Sequence, residues 1–291
     1  MNRPSLIILC GIPGSGKSTY AKNYIEQNSN TLHLSSDAIR KELYGDENIQ
    51  GNPAEVFGLM QKRAVEALNN GCKVIYDATN ITRKDRASII GICPKFTNVE
   101  CHIIWAPIEE CVKRDSNRER TVGKEVIDKM LKRFQAVYYD EGIDEIKIIT
   151  PEVWNANDYT DSIFLAMNIP HDNPHHSLNI EDHCVEAYKH LNKCGVEDCD
   201  LRCAALFHDV GKPYVKSFVN SKGNPCDVAH YYQHQSVGAY MFYGSHNANP
   251  HIAWLISTHM EPFFNSKYYK NLPSFLKKDI DLLHEADLAA H

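Results

Sequence analysis

The sequence of 291 residues lacks any apolar run long enough to cross a membrane, and it shows no internal repeat or low-complexity segment. Its ten cysteines include no C-x-x-C pair, which argues against a zinc ribbon or a thioredoxin-type redox motif. The first apolar run, at residues 6–10, leads directly into a glycine-rich loop, so we interpret it as a buried strand and not as a signal peptide. These absences predict a globular, cytoplasmic protein with reduced thiols and no membrane contact.

The sequence also lacks an excess of positively charged residues. The chain has 31 Lys and Arg against 37 Asp and Glu, a net charge of −6. Residues 1–167 carry 21 basic and 23 acidic side chains, and residues 168–291 carry 10 and 14, so the two halves contribute −2 and −4. Neither half predicts a broad basic surface that would wrap long nucleic acid, although a local patch could still hold a strand end.

The strongest motif is Gly-Ile-Pro-Gly-Ser-Gly-Lys-Ser at residues 11–18, which fits the pattern G-x-x-x-x-G-K-[S/T]. An apolar segment precedes it and a helical pattern follows it, as in a phosphate-binding loop between a strand and a helix. In such a loop Lys17 would reach the β- and γ-phosphates, and the Ser18 hydroxyl would hold Mg²⁺. The motif therefore predicts binding of ATP, or another nucleoside triphosphate, with Mg²⁺. The candidate nucleotide ligands are Gly14, Ser15, Gly16, Lys17, Ser18 and Thr19.

Polar residues also follow two further predicted strands. Asp37 and Arg40 follow the strand at residues 31–34, and Asp77, Thr79 and Asn80 follow the strand at residues 72–76. Each cluster taken alone fits a helix cap or a turn. Because the carboxyl ends of parallel strands meet at one edge of a sheet, we expect both clusters to form a substrate pocket beside the phosphate loop. Asp37 would be placed there to accept a proton from an attacking hydroxyl.

Arg114 and Arg118 lie in a run of charged residues between two predicted helices. Such runs are usually solvated surface. On a segment beside a bound triphosphate, however, arginines can neutralise the charge that develops during phosphoryl transfer. Both residues are therefore candidate nucleotide ligands.

Strand and helix patterns alternate through the first half of the chain. Strands are predicted at residues 6–10, 31–34, 72–76, 99–105 and 146–149, with helices such as 54–68 and 124–138 between them. This alternation predicts an α/β domain with a parallel sheet at residues 1–155. A stretch rich in Pro, Asn and Asp predicts a linker at residues 156–174, and helical patterns predict an all-α domain at residues 175–291.

Histidine is distributed unevenly, since 13 of the 15 lie between residues 171 and 291. His208 and Asp209 end an apolar helical segment, a place where only a metal ion or a catalytic network easily accounts for such a pair. A core or surface role is the usual one for a single histidine, but it explains the whole set poorly. Mixed imidazole and carboxylate ligands suit Mn, Ni, Co, Fe or Zn, and Lys212 could neutralise a phosphate at the metal. Further candidate ligands are His183, His230, His234, His259 and Asp287.

Residues 5–140 resemble the kinase domain of phage-type polynucleotide 5′-kinases. The likeness rests on the phosphate loop, S-x-D-x-x-R at residues 35–40, D-A-T-N at 77–80 and K-R-x-S-x-R at 113–118. It implies that Asp37 is the general base on a 5′-hydroxyl and that Arg40 contacts the 3′-phosphate of the acceptor. It also implies that Lys17 and Arg118 stabilise the transferring phosphate, with Arg114 assisting. The residues that would shape the acceptor site are Asp77, Thr79 and Asn80.

Residues 175–291 resemble an HD-superfamily phosphohydrolase domain, through H…HD…D at His183, His208-Asp209 and Asp287. They are similar to the HD domains of tRNA nucleotidyltransferases in N-P-x-H at 173–176, H-D-x-G-K at 208–212 and H-x-x-V-G-A at 234–239. His234 and His259 stand where two-metal members place further ligands, and His230 competes with His234. The resemblance leaves open whether one or two metals bind. It makes His175 and His176 candidate substrate contacts.

The D-x-D-G phosphatase motif that usually accompanies such kinases is absent, because leucine follows Asp281 at residue 282. The combination of domains instead resembles bacterial end-healing enzymes that pair an HD phosphohydrolase with a polynucleotide kinase. It implies phosphorylation of 5′-OH ends of RNA or DNA and removal of a 2′,3′-cyclic phosphate or 3′-phosphate, upstream of a separate ligase. One alternative is a small-molecule or nucleoside kinase fused to a nucleotide phosphohydrolase, which the acidic charge favours. Another is a nucleotide-sensing switch, which the intact set of catalytic residues disfavours.

Overall fold

The computed structural model describes residues 3–118, 121–174 and 177–290, so His175 and His176 lie outside the described residues. The chain divides into two compact units. Unit 1 consists of Met1–Met130 and Val137–Glu152, and unit 2 consists of Leu131–Ala136 and Val153–His291. Within the described ranges, no helix has both the length and the apolar composition needed to span a membrane.

Unit 1 is built on a five-stranded parallel sheet with the strand order β2-β3-β1-β4-β5. The central strand β1 is buried along its whole length, as expected of a strand covered on both faces. This architecture confirms the predicted α/β domain with a parallel sheet. The strands are β1 (Ser5–Cys10), β2 (Thr31–Ser35), β3 (Lys73–Asp77), β4 (Asn98–Ile104) and β5 (Glu145–Ile149). The helices are α1 (Lys17–Gln27), α2 (Ser36–Tyr44), α3 (Pro53–Asn69), α4 (Arg83–Ile90), α5 (Ile108–Ser116) and α6 (Lys124–Leu131), with a 3-10 turn at Tyr139–Glu141.

The register of the three strands β2, β3 and β1 brings the predicted polar clusters to one sheet edge. Asp77, the last residue of β3, pairs with Leu9 of β1 on one side and with Ser35 of β2 on the other. The phosphate loop leaves β1 directly after this level, and α2, which carries Asp37, leaves β2 there too. The carboxyl edge of the sheet therefore holds the loop and both polar clusters together, where ligands bind in open α/β sheets.

One predicted helix is shorter than its sequence pattern indicates. The helix expected at residues 124–138 ends at Leu131, and the chain is not helical at residues 132–138. Phe134 is fully buried in unit 2, where its ring meets Tyr240 and Tyr243 edge-on, with centroids 5.5 and 6.1 Å apart. Burial of a large aromatic side chain outweighs the hydrogen bonds of two more helical turns, so tertiary packing overrides local propensity here.

Unit 2 is helical, as predicted, and also contains a two-stranded antiparallel hairpin. The hairpin strands β6 (Ser217–Val219) and β7 (Pro225–His230) lie in sequence between Lys212 and His234. Helix α8 packs against α9 and α15, and α12 packs against α9 and α11. The stretch named above as a linker contains α7, which the division of the chain assigns to unit 2. The helices are α7 (Ala156–Leu165), α8 (Ile180–Lys193), α9 (Cys199–Phe207), α10 (Lys212–Val215), α11 (His234–Phe242), α12 (Pro250–Thr258), α13 (Glu261–Phe264), α14 (Lys267–Asn271) and α15 (Ser274–Ala289).

Candidate nucleotide site and candidate metal centre

The glycines of the loop at residues 11–18 are required by its shape. Gly14 and Gly16 have φ angles of +82° and +104°, in the left-handed region that favours glycine. A Cβ on Gly14 would lie 2.2 Å from the carbonyl oxygen of Cys111, and a Cβ on Gly11 would lie 2.5 Å from that of Ile104. The loop therefore runs against the backbone of β4 and α5 at distances that only glycine permits.

Lys17 is folded over this loop. Its Nζ donates to the carbonyl oxygens of Gly11 and Ile12, at 2.9 Å each. Burial lowers the pKa of Lys17, and the carboxylate of Asp77 acts in the opposite direction. The ammonium thus lies on the concave side of the loop with backbone carbonyls as its partners, and a phosphate oxygen is a stronger partner than either carbonyl.

Asp77 connects the loop to the edge strand of the sheet. Its side chain is buried, and Oδ2 accepts hydrogen bonds from Ser18 Oγ at 3.1 Å and from His33 Nε2 at 3.0 Å. One partner of Asp77 is therefore Ser18, the residue predicted to hold Mg²⁺. The sequence reasoning missed His33, although strand register would have found it, because His33 stands two positions before Ser35, the partner of Asp77 in β2.

Asp37 and Arg40 form an ion pair on α2, with 2.7 Å between Oδ1 and Nη1. Half of the Asp37 side chain is exposed, whereas Arg40 is largely covered, at 13% exposure. Asp37 stands in the first turn of the helix, where the helix dipole favours a carboxylate. An ionised carboxylate that is oriented by an arginine and still open to solvent can accept a proton from a hydroxyl brought to it.

The D-A-T-N segment holds the base of the phosphate loop. The Asn80 side chain is buried, and Nδ2 donates to the carbonyl of Leu9 at 2.8 Å, while the Gly11 amide donates to the Thr79 carbonyl at 3.0 Å. Arg86 donates to the Asn80 carbonyl at 3.0 Å and pairs with both oxygens of Glu141, at 2.7 Å each. The buried Arg86–Glu141 pair was not found from sequence, since 55 residues separate its members. Of the three predicted acceptor-site side chains, only that of Thr79 is partly exposed.

Arg114 and Arg118 both stand beside the loop. Arg114 Nε donates to Glu110 Oε1 at 2.9 Å, and its Nη1 lies 3.9 Å from the point where a Cβ on Gly16 would stand. Arg118 is exposed directly after α5, close enough to Lys17 for its charge to contribute to the lowered pKa of that lysine. Thr19 is exposed on the first turn of α1. The candidate nucleotide ligands therefore surround one end of the sheet.

In unit 2, four buried histidines have the same ring orientation. The Nδ1 atoms of His183, His208, His234 and His259 lie 2.7 to 2.9 Å from the backbone carbonyl oxygens of Ala290, Ala205, Tyr231 and Ile256. A carbonyl oxygen can only accept a hydrogen bond, so each Nδ1 is a donor, and Nε2 is the ring nitrogen left to bind a metal ion. Metal-ligating histidines commonly donate their other ring N–H to such a carbonyl.

The four Nε2 atoms converge on Asp209. His183 and His208 are 3.2 Å apart at Nε2, His234 and His259 are 3.1 Å apart, and Asp209 lies between the two pairs. Asp209 Oδ2 is 3.5 Å from the first pair, and Oδ1 is 3.1 Å from His234 Nε2. Two groups with the geometry of metal ligands result, His183-His208-Asp209 and His234-His259-Asp209, which share one carboxylate.

The donor set fits two divalent transition-metal ions. The facing ligand atoms lie 3.1 to 3.5 Å apart, and imidazole with carboxylate is the ligand type of Mn, Fe, Co, Ni and Zn. Asp287, the further ligand predicted from the sequence, lies beside the first group, with Oδ1 2.9 Å from His183 Nε2 and 3.4 Å from His208 Nε2. His230 is not part of either group, since its ring stacks on Tyr232 at 5.2 Å between centroids.

The surroundings of this centre shift the pKa values of Asp209 and His259. Burial alone would raise the pKa of Asp209, but the Lys212 ammonium and the imidazoles of His208 and His234 lower it well below its usual range. Burial, together with the neighbouring His234 and His208, lowers the pKa of His259 to about 3. At neutral pH the aspartate is therefore ionised and His259 is neutral, the states in which both residues bind metal.

Lys212 lies against the shared carboxylate. Its Nζ is 2.5 Å from Asp209 Oδ2 and 3.2 Å from His171 Nε2, and it stands 5.4 Å from the centroid of the Tyr231 ring. Burial and the Lys212 charge lower the pKa of His171 to about 4, so His171 is neutral. The sequence reasoning missed His171 because it precedes the stretch that resembles an HD domain, with no motif around it.

Comparisons with protein families match two separate parts of the chain. A family model described as an AAA domain matches residues 6–137, and a model described as an HD domain matches residues 175–286. The chain therefore joins a P-loop kinase-like domain to an HD domain, and both are domain types of enzymes.

Among curated proteins, the L-seryl-tRNA(Sec) kinase of Methanococcus maripaludis is 30% identical over 171 residues, covering 54% of this chain and 64% of that protein. The KTI12 homolog of Xenopus laevis is 24% identical over 140 residues, covering 45% of this chain and 50% of that protein. Among solved structures, the Pnkp1/Rnl/Hen1 RNA repair complex aligns at 26% identity with a TM-score of 0.42, covering 46% of this chain and 44% of that chain. The chain thus spans only part of the length of the proteins it matches.

Proposed function

We propose that this protein is a bifunctional enzyme that heals nucleic-acid ends. Unit 1 would transfer the γ-phosphate of a nucleoside triphosphate to a 5′-hydroxyl, with Mg²⁺, and unit 2 would remove a 2′,3′-cyclic phosphate or 3′-phosphate with divalent transition metals. The observation that carries the proposal is the presence, in one chain, of a phosphate loop beside the Asp37–Arg40 pair and of two metal-ligand groups sharing Asp209. The products would suit a separate ligase.

The kinase step would use the phosphate loop, the arginines beside it and the Asp37–Arg40 pair. The loop and Lys17 would hold the β- and γ-phosphates, Ser18 would ligate Mg²⁺, and Arg114 and Arg118 would cover the transferring group. Asp37 would accept the proton of the acceptor hydroxyl as the oxygen–phosphorus bond forms and the bond to the β-phosphate breaks. Arg40, which is paired with Asp37 at 2.7 Å, would orient that carboxylate and contact the acceptor phosphate.

The phosphohydrolase step rests on the shared ligand Asp209. Bound metal ions would lower the pKa of a water molecule and bind phosphate oxygens, the chemistry that such ions supply in two-metal sites. The buried ammonium of Lys212 would pair with an anionic phosphate oxygen. His183, His208, His234, His259 and Asp287 would hold the ions.

An RNA-linked acceptor is supported by the first relative, whose name describes a kinase acting on L-seryl-tRNA(Sec). The acidic net charge of −6 favours a second candidate, a small-molecule or nucleoside kinase fused to a nucleotide phosphohydrolase. Both candidates use the same phosphoryl-transfer groups. They differ in the molecule that carries the acceptor hydroxyl, which is a nucleic-acid end in the first candidate and a small molecule or nucleoside in the second.

The test uses a short RNA with a 5′-OH and a 2′,3′-cyclic phosphate, incubated with ATP, Mg²⁺ and Mn²⁺ or Ni²⁺. Mass spectrometry at both ends should find a 5′-phosphate gained and the 3′-terminal phosphate lost. Asp37→Asn should abolish only the first change and Asp209→Asn only the second, so each variant is the control for the other. Phosphorylation of free nucleosides but not of the RNA would instead establish the second candidate. No change at either end, despite ATP binding, would refute end healing.

A further inference from the structure

We propose that His171 is a positioning residue of the metal centre: together with Tyr231 it forms a seat that holds the Lys212 ammonium ready for a substrate phosphate. The inference rests on the proposed phosphohydrolase function of unit 2. It adds to that function a residue outside the HD sequence motifs and a role for the loop that precedes α8.

The seat is built from two contacts of the lysine, one with His171 and one with Tyr231. The Lys212 side chain is buried, and its Nζ lies 3.2 Å from His171 Nε2 and 5.4 Å from the centroid of the Tyr231 ring. His171 Nδ1 lies 2.9 Å from the carbonyl oxygen of Leu178, so Nδ1 is the donor and Nε2 accepts from the ammonium. The Tyr231 hydroxyl donates to the backbone carbonyl of His171, which joins both members of the seat.

The chemistry of the seat differs from that of the other lysine partner, Asp209. A carboxylate neutralises an ammonium, and Asp209 would also be occupied by metal ions in the loaded protein. A neutral imidazole and an aromatic face accept the ammonium without cancelling its charge. With Asp209 engaged by metal, His171 is the acceptor that keeps Lys212 in place with its positive charge available to a phosphate oxygen.

The position of His171 also separates this role from metal binding. Its Nε2 faces Lys212, while the four imidazoles of the metal-ligand groups direct Nε2 toward Asp209 and one another. A change at His171 should therefore weaken anion binding and leave the metal ions bound. If His171 were merely structural, its replacement would disturb the chain beside His183 and would lower the metal content as well.

The experiment measures binding of inorganic phosphate to the full-length, Mn²⁺-loaded protein by titration calorimetry. His171→Asn keeps a donor that can reach the Leu178 carbonyl but places no acceptor at the position of Nε2, whereas His171→Gln places its Oε1 there. We expect His171→Asn to weaken phosphate binding about tenfold and His171→Gln to stay within about threefold of wild type, the scale of one hydrogen bond to a charged group. The manganese content and the thermal midpoint of both His171 variants should stay at wild-type values. The matched control His190→Asn, which replaces a half-buried histidine of α8, should bind phosphate as the wild type does.

A double-mutant cycle with Lys212→Ala identifies the partner through which His171 acts. The double variant His171→Asn/Lys212→Ala should bind phosphate no more weakly than Lys212→Ala alone. Additive losses, wild-type affinity in His171→Asn, or loss of manganese in that variant would each overturn the inference. Absence of manganese binding in the wild-type protein would refute the proposed second activity itself, and the seat would fall with it.

Discussion

Replacement of Asp209 by asparagine should remove two metal ions at once. Asp209 is the only residue shared by the two ligand groups found in the described part of the chain, and its oxygens lie 3.1 to 3.5 Å from three imidazole Nε2 atoms. Even a group that only hydrogen-bonds to a metal ligand contributes about 10–100-fold to the metal affinity. Loss of a shared, charged ligand should therefore weaken each site by more than about 100-fold.

The measurement is metal content after loading with Mn²⁺ and desalting, with the wild-type chain expected to retain two ions. Asp209→Asn should retain none, whereas His183→Ala and His259→Ala should each retain one. His230→Ala is the matched control and should retain two, since the His230 ring stacks on Tyr232 outside both groups. Two ions in His259→Ala, or one in Asp209→Asn, would refute the shared-ligand geometry.

Thermal unfolding gives an independent measure of the same change. Mn²⁺ at 100 times its dissociation constant should stabilise unit 2 by about 2.7 kcal/mol for one site. For a unit of this size that corresponds to a shift of about 5–10 °C in the thermal midpoint. The shift should vanish in Asp209→Asn, and a shift of wild-type size in that variant would contradict the reasoning.

Three further predictions concern unit 1. Gly14→Ala should abolish ATP binding, because its Cβ would lie 2.2 Å from the Cys111 carbonyl, whereas Gly45→Ala, at a similar φ of +80° but in open space, should bind ATP normally in the same calorimetric titration. Asp37→Asn should lower kcat by about 10²–10⁴-fold with unchanged ATP affinity, and a loss confined to KM would argue against a general base. The hydrogen bond from His102 lowers the pKa of Glu100 to about 2 from 4.5, so this group stabilises the fold above pH 4.5 and loses that contribution as the pH falls toward 2. Urea unfolding should therefore find Glu100→Gln destabilised by about 1–3 kcal/mol at pH 7, with a smaller difference at pH 3, and a pH-independent difference would contradict the assignment.

The sequence predicted those parts of the molecule that depend on local chemistry. The phosphate loop, the parallel sheet and the helical second unit follow from motif and periodicity, and the structure confirms the fold. The partners of Asp77 could not be predicted without the strand register. In the structure Asp77 is the last residue of β3, where it contacts His33 and Ser18. The Arg86–Glu141 and His171–Lys212 contacts could not be predicted, because each joins segments far apart in the chain. The helix expected at residues 124–138 was wrong in length because packing of Phe134 decided its end.

The local backbone of unit 2 prepares the metal centre before any ion arrives. In His208, His234 and His259 the carbonyl that receives the Nδ1 proton belongs to the third residue before the histidine, so each stretch of chain fixes the tautomer of its own ligand. Only His183 depends on a distant carbonyl, that of Ala290, just beyond the end of α15, the helix that also carries Asp287. Because three rings are oriented locally, loss of α15 contacts should disturb the His183 group and spare the His234 group. His183 and Asp287 are therefore the positions where metal binding and folding of the C-terminal helix are coupled.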